Sequence, residues 1–106
     1  MPDIAQFRRL NQAENYLVTM HGRRRMNERG ILLTDVMHAV DHGEIIESYP
    51  EDYPFPSCLI VGLTIRETYL HAVVSLNENH IYLITAYFPS PDEWEPDMKT
   101  RRKKDV

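Results

Sequence analysis

Hydrophobic positions in this chain change their period midway and divide it into a helical half and a strand-rich half. Ile4, Phe7 and Leu10 recur every three residues behind Asp3, a residue type that caps helix N-termini, and predict a short accessory helix over residues 3–11. Residues 16–19 are short and apolar and fit a strand. Thr19 can then cap a helix that runs to Arg29, where Gly30 supplies a left-handed C-terminal residue. Leu33, Val36, Met37 and Val40 follow an i, i+3, i+4, i+7 pattern, so a second core helix opens at Thr34 and Asp35 and stops at Gly43.

Beyond Gly43 the pattern turns to strands over residues 44–49, 59–65, 69–75 and 81–88, all rich in Ile, Val, Thr and Tyr. The short connections 66–68 and 77–79 imply antiparallel hairpins. Pro50, Pro54 and Pro56 withhold amide donors and make the stretch between the first two of these strands a loop that can line a groove. After a turn at 89–92, residues 93–99 fit one helical turn anchored by Trp94. With neither repeat nor linker, the chain reads as a single domain, 1–106: a core of about 16–102, an accessory N-terminal helix within 1–15, and a basic tail at 103–106. The fold class is α+β, with two core helices and the short N-terminal one on one face of a twisted antiparallel sheet of four to five strands.

At 106 residues, 42% hydrophobic and 26% charged, the chain suits one small globular domain. Folding at this size buries roughly 60–70% of the accessible surface, enough for one core but not for an enclosed cofactor cavity, so an active site is expected to be an open groove. No apolar run approaches the roughly 18 residues that span a bilayer and no export segment is evident, which leads us to expect a cytoplasmic protein without membrane contact. The single cysteine, Cys58, lies in an apolar run and is expected to be a buried structural thiol. Twelve Lys and Arg against sixteen Asp and Glu give a net charge of -4, which excludes a bulk polyanion binder. The charge is uneven, however: Arg23, Arg24, Arg25 and Arg29 cluster, and residues 101–104 are all basic. A local basic groove on an acidic body is compatible with this arrangement.

His21, Arg25 and Arg29 are spaced i, i+4, i+8 on one helical face, with Gly22 and Met26 on the adjoining stripe. Stacked exposed cations repel by a few tenths of a kcal/mol per pair, which acidic neighbours such as Glu44, Glu47 or Asp35, or a phosphate, would offset. Gly22 costs about 1 kcal/mol in a helix interior, and close approach of another backbone would explain its presence. By strict alternation His71 shares a sheet face with Tyr69, Val73 and Ser75, while Thr85 and Tyr87 share one with Ile81 and Leu83. One face can therefore gather His71, Thr85 and Tyr87; the alternative is an ordinary half-exposed face with an isolated histidine. Of five histidines, His38 and His42 stand i, i+4, but no Glu follows the first and no Cys pair completes a zinc tetrahedron, so no metal site is expected. Gly-rich phosphate loops, GxSxG elbows and Cys-His nucleophile signatures are missing too.

Four motifs taken together, HGRRRMNERGI, GEIIESYPEDYPFPSCLIVG, LHAVVS and ITAYFPSPDEW, resemble the domain-of-unknown-function family 4258 over about residues 16–102. Members of that family are compact bacterial proteins similar to RelE-type toxins and to the wider barnase/EndoU/colicin/RelE-like ribonuclease fold. The resemblance implies RNA lying against the open side of the sheet and a place as the toxin half of a toxin–antitoxin pair. It also implies an RNA substrate, mRNA among the candidates, and a cognate antitoxin protein as partner. The matched positions are His21, Arg25, Arg29, His71, Thr85 and Tyr87. Metal-independent RNA cleavage needs a base, an acid and a cation for the charge on phosphorus, roles that suit His21, His71, Tyr87, Arg25 and Arg29 as the catalytic set. Arg24, Thr85 and Arg101 are the expected RNA-binding residues, and no cofactor is expected. The competing readings are a non-catalytic RNA- or protein-binding module, and a purely structural role for the helix cations as partners of buried carboxylates.

Overall fold

A computed structural model describes residues 3–103, so all of the expected basic tail at 103–106 except Lys103 lies outside the described residues. The elements run α1 (Ile4–Gln12), β1 (Tyr16–Val18), α2 (Met20–Arg29), α3 (Leu33–Asp41), β2 (Glu44–Tyr49), β3 (Ser57–Leu63), β4 (Tyr69–Asn77) and β5 (His80–Tyr87). Asp3 caps α1 through a reciprocal pair, its carboxylate accepting from the Gln6 amide at 2.9 Å while the Gln6 side chain accepts from the Asp3 amide at 2.9 Å. Thr19 Oγ1 accepts from the Gly22 amide at 2.8 Å to start α2, and Gly30 ends it at φ 67°. At α3 the cap residue is Leu32, whose amide donates to the Asp35 carboxylate at 2.9 Å.

The sheet order is β1-β5-β4-β3-β2, antiparallel throughout except for the edge pair β1 and β5, which is parallel. This α+β layout agrees with the expected one, the short parallel strand arising because the chain crosses the whole sheet between β1 and β5. Three helices supply Phe7, Met26, Val36, Ala39 and Val40, and the α2–α3 connection Ile31, to a core completed by sheet residues that include Ile60, Leu70, Val74 and Leu83. Burying each large side chain stabilises the fold by about 1.5–3 kcal/mol. Phe7 is 0% exposed and Asn11 Nδ2 donates to the Met37 carbonyl at 2.8 Å, so α1 is part of the core where an accessory helix was expected.

Strict alternation fails in β5. Val74 pairs with Leu83 and Val73 with Thr85, which leaves Ile84 as an extra, bulged residue. Before the bulge Ile81 and Leu83 face the helices; after it Ala86 does, and Thr85 and Tyr87 turn to the opposite face. The expectation that Thr85 and Tyr87 share a face with Ile81 and Leu83 is corrected by this one residue. Gly22 explains how α2 fits here, because a Cβ on it would stand 2.5 Å from the Ile84 carbonyl oxygen. Beyond the end of β1, α2 satisfies the open edge of β5: Thr19 Oγ1 donates to the Ile84 carbonyl at 3.1 Å and Arg29 Nη1 to the Ala86 carbonyl at 2.8 Å.

The face away from the helices is also partly covered, since Leu59 and Val61 are buried there. Residues 89–102 lie across it as a strap of turns, in place of the expected helical turn at 93–99, and Trp94 is its anchor at 2% exposure. Among the described residues no helix is long and apolar enough to cross a membrane.

Candidate active site

Cross-strand register sets the polar residues of the second face in rows. Glu44, Val61, His71 and Tyr87 form one row; Glu47, Leu59, Val73 and Thr85 form the next. His71 and Tyr87 are thus direct neighbours, with the imidazole Nδ1 3.3 Å from the phenol oxygen. The opposite ring nitrogen, Nε2, lies 2.7 Å from the Met98 carbonyl of the strap. A carbonyl only accepts, so the hydrogen-bond network assigns the proton to Nε2 and leaves Nδ1 to accept from the Tyr87 hydroxyl. The ring meets Trp94 edge-on with centroids 4.5 Å apart.

His71 is fully buried, and the lost hydration is the largest influence on its pKa. The Met98 carbonyl and Glu47 raise that pKa and Arg101 lowers it further, leaving it below the ordinary value. Burial likewise raises the pKa of Tyr87, which keeps its proton at neutral pH. Beside this pair, Arg101 donates twice to Glu47, at 2.7 and 3.0 Å, while its guanidinium lies 4.6 Å from the Trp94 ring centroid. Those bonds hold the Glu47 carboxyl below its usual range. Tyr49, which donates to Glu47 at 2.5 Å, is pushed up to about 12, by burial first and by Glu47 second.

Of the expected site residues, His71, Thr85, Tyr87 and Arg29 come together. Arg29 Nη1 stands 3.4 Å from Thr85 Oγ1, and its charge is near enough to lower the Tyr87 pKa. Arg101 is near them but engaged with Glu47. His21, Arg24 and Arg25 remain exposed on α2, apart from the His71–Tyr87 pair; Arg25 meets Glu28 at 3.5 Å in a half-exposed contact that contributes little. The acids considered as their partners are occupied elsewhere, Glu44 by Lys99 at 2.9 Å, Glu47 by Arg101, and Asp35 by the Leu32 amide. Tyr49 and Met98 were not anticipated, and Glu47 was considered only as a partner of the α2 cations. Glu47 and Tyr49 were open to detection as alternate residues of one strand, whereas Met98 contributes a carbonyl, which no side-chain pattern marks. His38 Nδ1 is bonded to the Leu63 carbonyl at 2.7 Å, and among the described residues no group of three or more His, Cys, Asp or Glu is placed to hold a metal ion.

The buried histidine predicts a pH dependence of stability. Its folded pKa is below the ordinary 6.5, so as pH falls through 6.5 the unfolded chain takes up a proton before the folded one does. Stability is therefore complete above that value and declines below it; the low pKa of Glu47 adds a second decline in the carboxylate range. Thermal midpoints of wild type measured from about pH 8 to about pH 5 should fall, and His71→Gln should flatten the upper part of the curve. An equal slope in both proteins would assign the effect to other groups.

Fold and site together define a small α+β domain with helices filling one sheet face and a histidine–tyrosine pair in the other. The chain belongs to DUF4258, a domain of unknown function, whose family model matches residues 18–88. No curated protein and no solved structure matches it.

Proposed function

We propose that this protein is a metal-independent endoribonuclease of the RelE-type toxin class, acting in a bacterial toxin–antitoxin pair in the cytoplasm. The observation that carries the reading is the registered imidazole and phenol, 3.3 Å apart, with Arg29 at the adjoining sheet edge. Neutral His71 takes the proton of a ribose 2′-hydroxyl as that oxygen bonds to phosphorus. The bond from phosphorus to the 5′-oxygen breaks, and Tyr87 gives its proton to the departing oxygen. The products are a 2′,3′-cyclic phosphate and a 5′-hydroxyl. An imidazolium is then left beside a phenolate, and the contact between them returns the proton. Arg29 spends one N–H on the Ala86 carbonyl and has further donors for the charge developing on phosphate oxygens. His21, Arg24 and Arg25, exposed on α2, grip the RNA backbone, and an acidic antitoxin surface would cover the same cations.

Cleavage of a labelled single-stranded RNA is expected to persist in EDTA. His71→Gln and Tyr87→Phe should each slow it about a hundredfold or more with circular dichroism unchanged. Arg29→Lys should slow it about tenfold or more, through loss of the planar fork. Activity abolished by EDTA and restored by a divalent ion, or full activity in both His71→Gln and Tyr87→Phe, would overturn the mechanism. A second reading, RNA binding without cleavage, is favoured by the complete burial of His71 beneath residues 89–102 while the α2 cations His21, Arg24 and Arg25 stay exposed. It predicts binding that survives His71→Gln and is lost in an Arg24→Ala, Arg25→Ala double variant.

A further inference from the structure

Residues 89–102 are attached to the domain in an unusual way. Their backbone hydrogen bonds close on themselves: Glu93 to Ser90 at 3.0 Å, Glu95 to Thr100 at 2.8 Å and Arg102 to Glu93 at 2.9 Å. Asp97 adds to this by accepting from the Lys99 and Thr100 amides at 2.9 and 3.0 Å. No strand of the sheet pairs with the strap, and among the described residues its polar ties to the domain are few. They are the His71 bond to the Met98 carbonyl and the ion pairs of Arg101 with Glu47 and Lys99 with Glu44. The Lys99–Glu44 pair is 44% and 54% exposed, where ion pairs hold weakly, and the bidentate Arg101–Glu47 pair is the firmer of the two. The principal apolar anchor is the Trp94 indole. Met98, whose carbonyl touches His71, sits at φ 57°, a left-handed conformation unfavourable for a residue with a Cβ.

The strap can therefore lift as a body without breaking a sheet ladder, turning about the Pro89-Ser90-Pro91 segment. It also begins just past residue 88, where the family match ends. What it covers is the chemistry: His71 is 0% exposed beneath it, with Trp94 against the ring and Arg101 over Trp94. Trp94 meets His71 edge-on and carries Arg101 over its own face, so the strap fills with an aromatic ring and a cation the space a nucleobase would need to approach the imidazole.

We infer that residues 89–102 are an autoinhibitory strap, closed over the His71–Tyr87 face at rest, and that single-stranded RNA displaces it by taking the place of Trp94. This rests on the RNA reading of the preceding section. Closed, the strap holds His71 desolvated and both ring nitrogens occupied; open, it frees Nε2 and the imidazole regains water.

The test uses the full chain with Glu44→Cys and Lys99→Cys, the two thiols bridged by a reducible bismaleimide. Cys58 stays unreacted, because it is buried and burial pushes its thiol up to about 12. The bridged protein is expected to bind a labelled oligouridine at least tenfold more weakly than the same protein after reduction. Trp94, the only tryptophan, reports the strap directly: oligouridine should shift its emission to the red and increase its quenching by acrylamide in the reduced protein and not in the bridged one. A second arm needs no RNA. In urea, Trp94 of wild type should become exposed before far-UV circular dichroism is lost, and Glu47→Gln should advance the first transition and leave the second in place. Coincident transitions in both proteins would make the strap an integral layer and overturn the inference. Equal RNA binding with and without the bridge, Trp94 remaining buried, would overturn displacement by RNA while leaving the RNA reading intact. No RNA binding by the reduced protein would overturn the function proposed above and the RNA half of this inference, while the urea transitions still decide whether the strap detaches.

Discussion

Gly62→Ala is expected to destabilise the domain by about 3 kcal/mol or more, or to prevent folding. A Cβ at Gly62 would lie 2.1 Å from the Ala39 carbonyl oxygen, 2.6 Å from its carbon and 2.7 Å from its Cα. All three are backbone atoms of α3, so no side-chain rotation relieves the overlap. Moving α3 outward would open gaps around Val36 and Val40, both fully buried, and would disturb a second tight point at Gly43, where a Cβ would stand 2.4 Å from the carbonyl oxygens of Ala39 and Val61. Gly30→Ala is the informative comparison. No atom lies within 4 Å of a Cβ there, and the cost is the positive φ of 67° alone, about 1 kcal/mol. Urea midpoints of the two variants should separate accordingly. Equal midpoints would show that α3 and β3 have room to part.

Phe7→Ala should cost about 3–5 kcal/mol, the usual range when a buried aromatic is removed and its cavity stays partly open. The size of the effect is diagnostic, because α1 lies outside the family-matched residues 18–88. A helix merely resting on the surface would lose little. Phe7 is instead enclosed by the core, and Arg8 Nη2 donates to the Gly43 carbonyl at 2.7 Å, tying α1 to the start of β2. Chemical denaturation followed by circular dichroism should show one transition at lower denaturant. A stability loss below about 1 kcal/mol would return α1 to an accessory role.

Much of the fold was legible in the sequence because its signals are local. Asp3, Thr19 and Gly30 mark helix ends through their own backbone chemistry, and periodicity locates Val36 and Val40 on a buried stripe. Strand ends shifted by one or two residues; β3, for example, begins at Ser57, since its last proline stands just before it. The site was only partly legible. His71 and Tyr87 were found as a pair on one face, but through an alternation that breaks at Ile84, where nothing in the composition signals an unpaired residue. The cover over His71 depends on a contact across 27 positions made by a main-chain oxygen. Arg29 was expected to meet a phosphate and in the structure spends its best bond on the Ala86 carbonyl at 2.8 Å, a need that arises only because β1 is too short to pair there.

The bulged residue makes β5 a strand with two phases. Counted from His80, inward and outward places follow one rhythm up to Leu83 and the opposite rhythm from Thr85 onward, so the position of the bulge decides what stands beside the imidazole. A ladder that paired Ile84 as a regular residue would bring Ala86 opposite His71 in the outward place and turn the phenol of Tyr87 toward the apolar interior. Such a one-residue slip would exchange the contents of two environments, leave His71 without its hydroxyl, and press a polar ring among Leu70, Ala72 and Met26. Which residue between 80 and 87 is left unpaired is therefore as restrictive for this protein as the identity of any residue there.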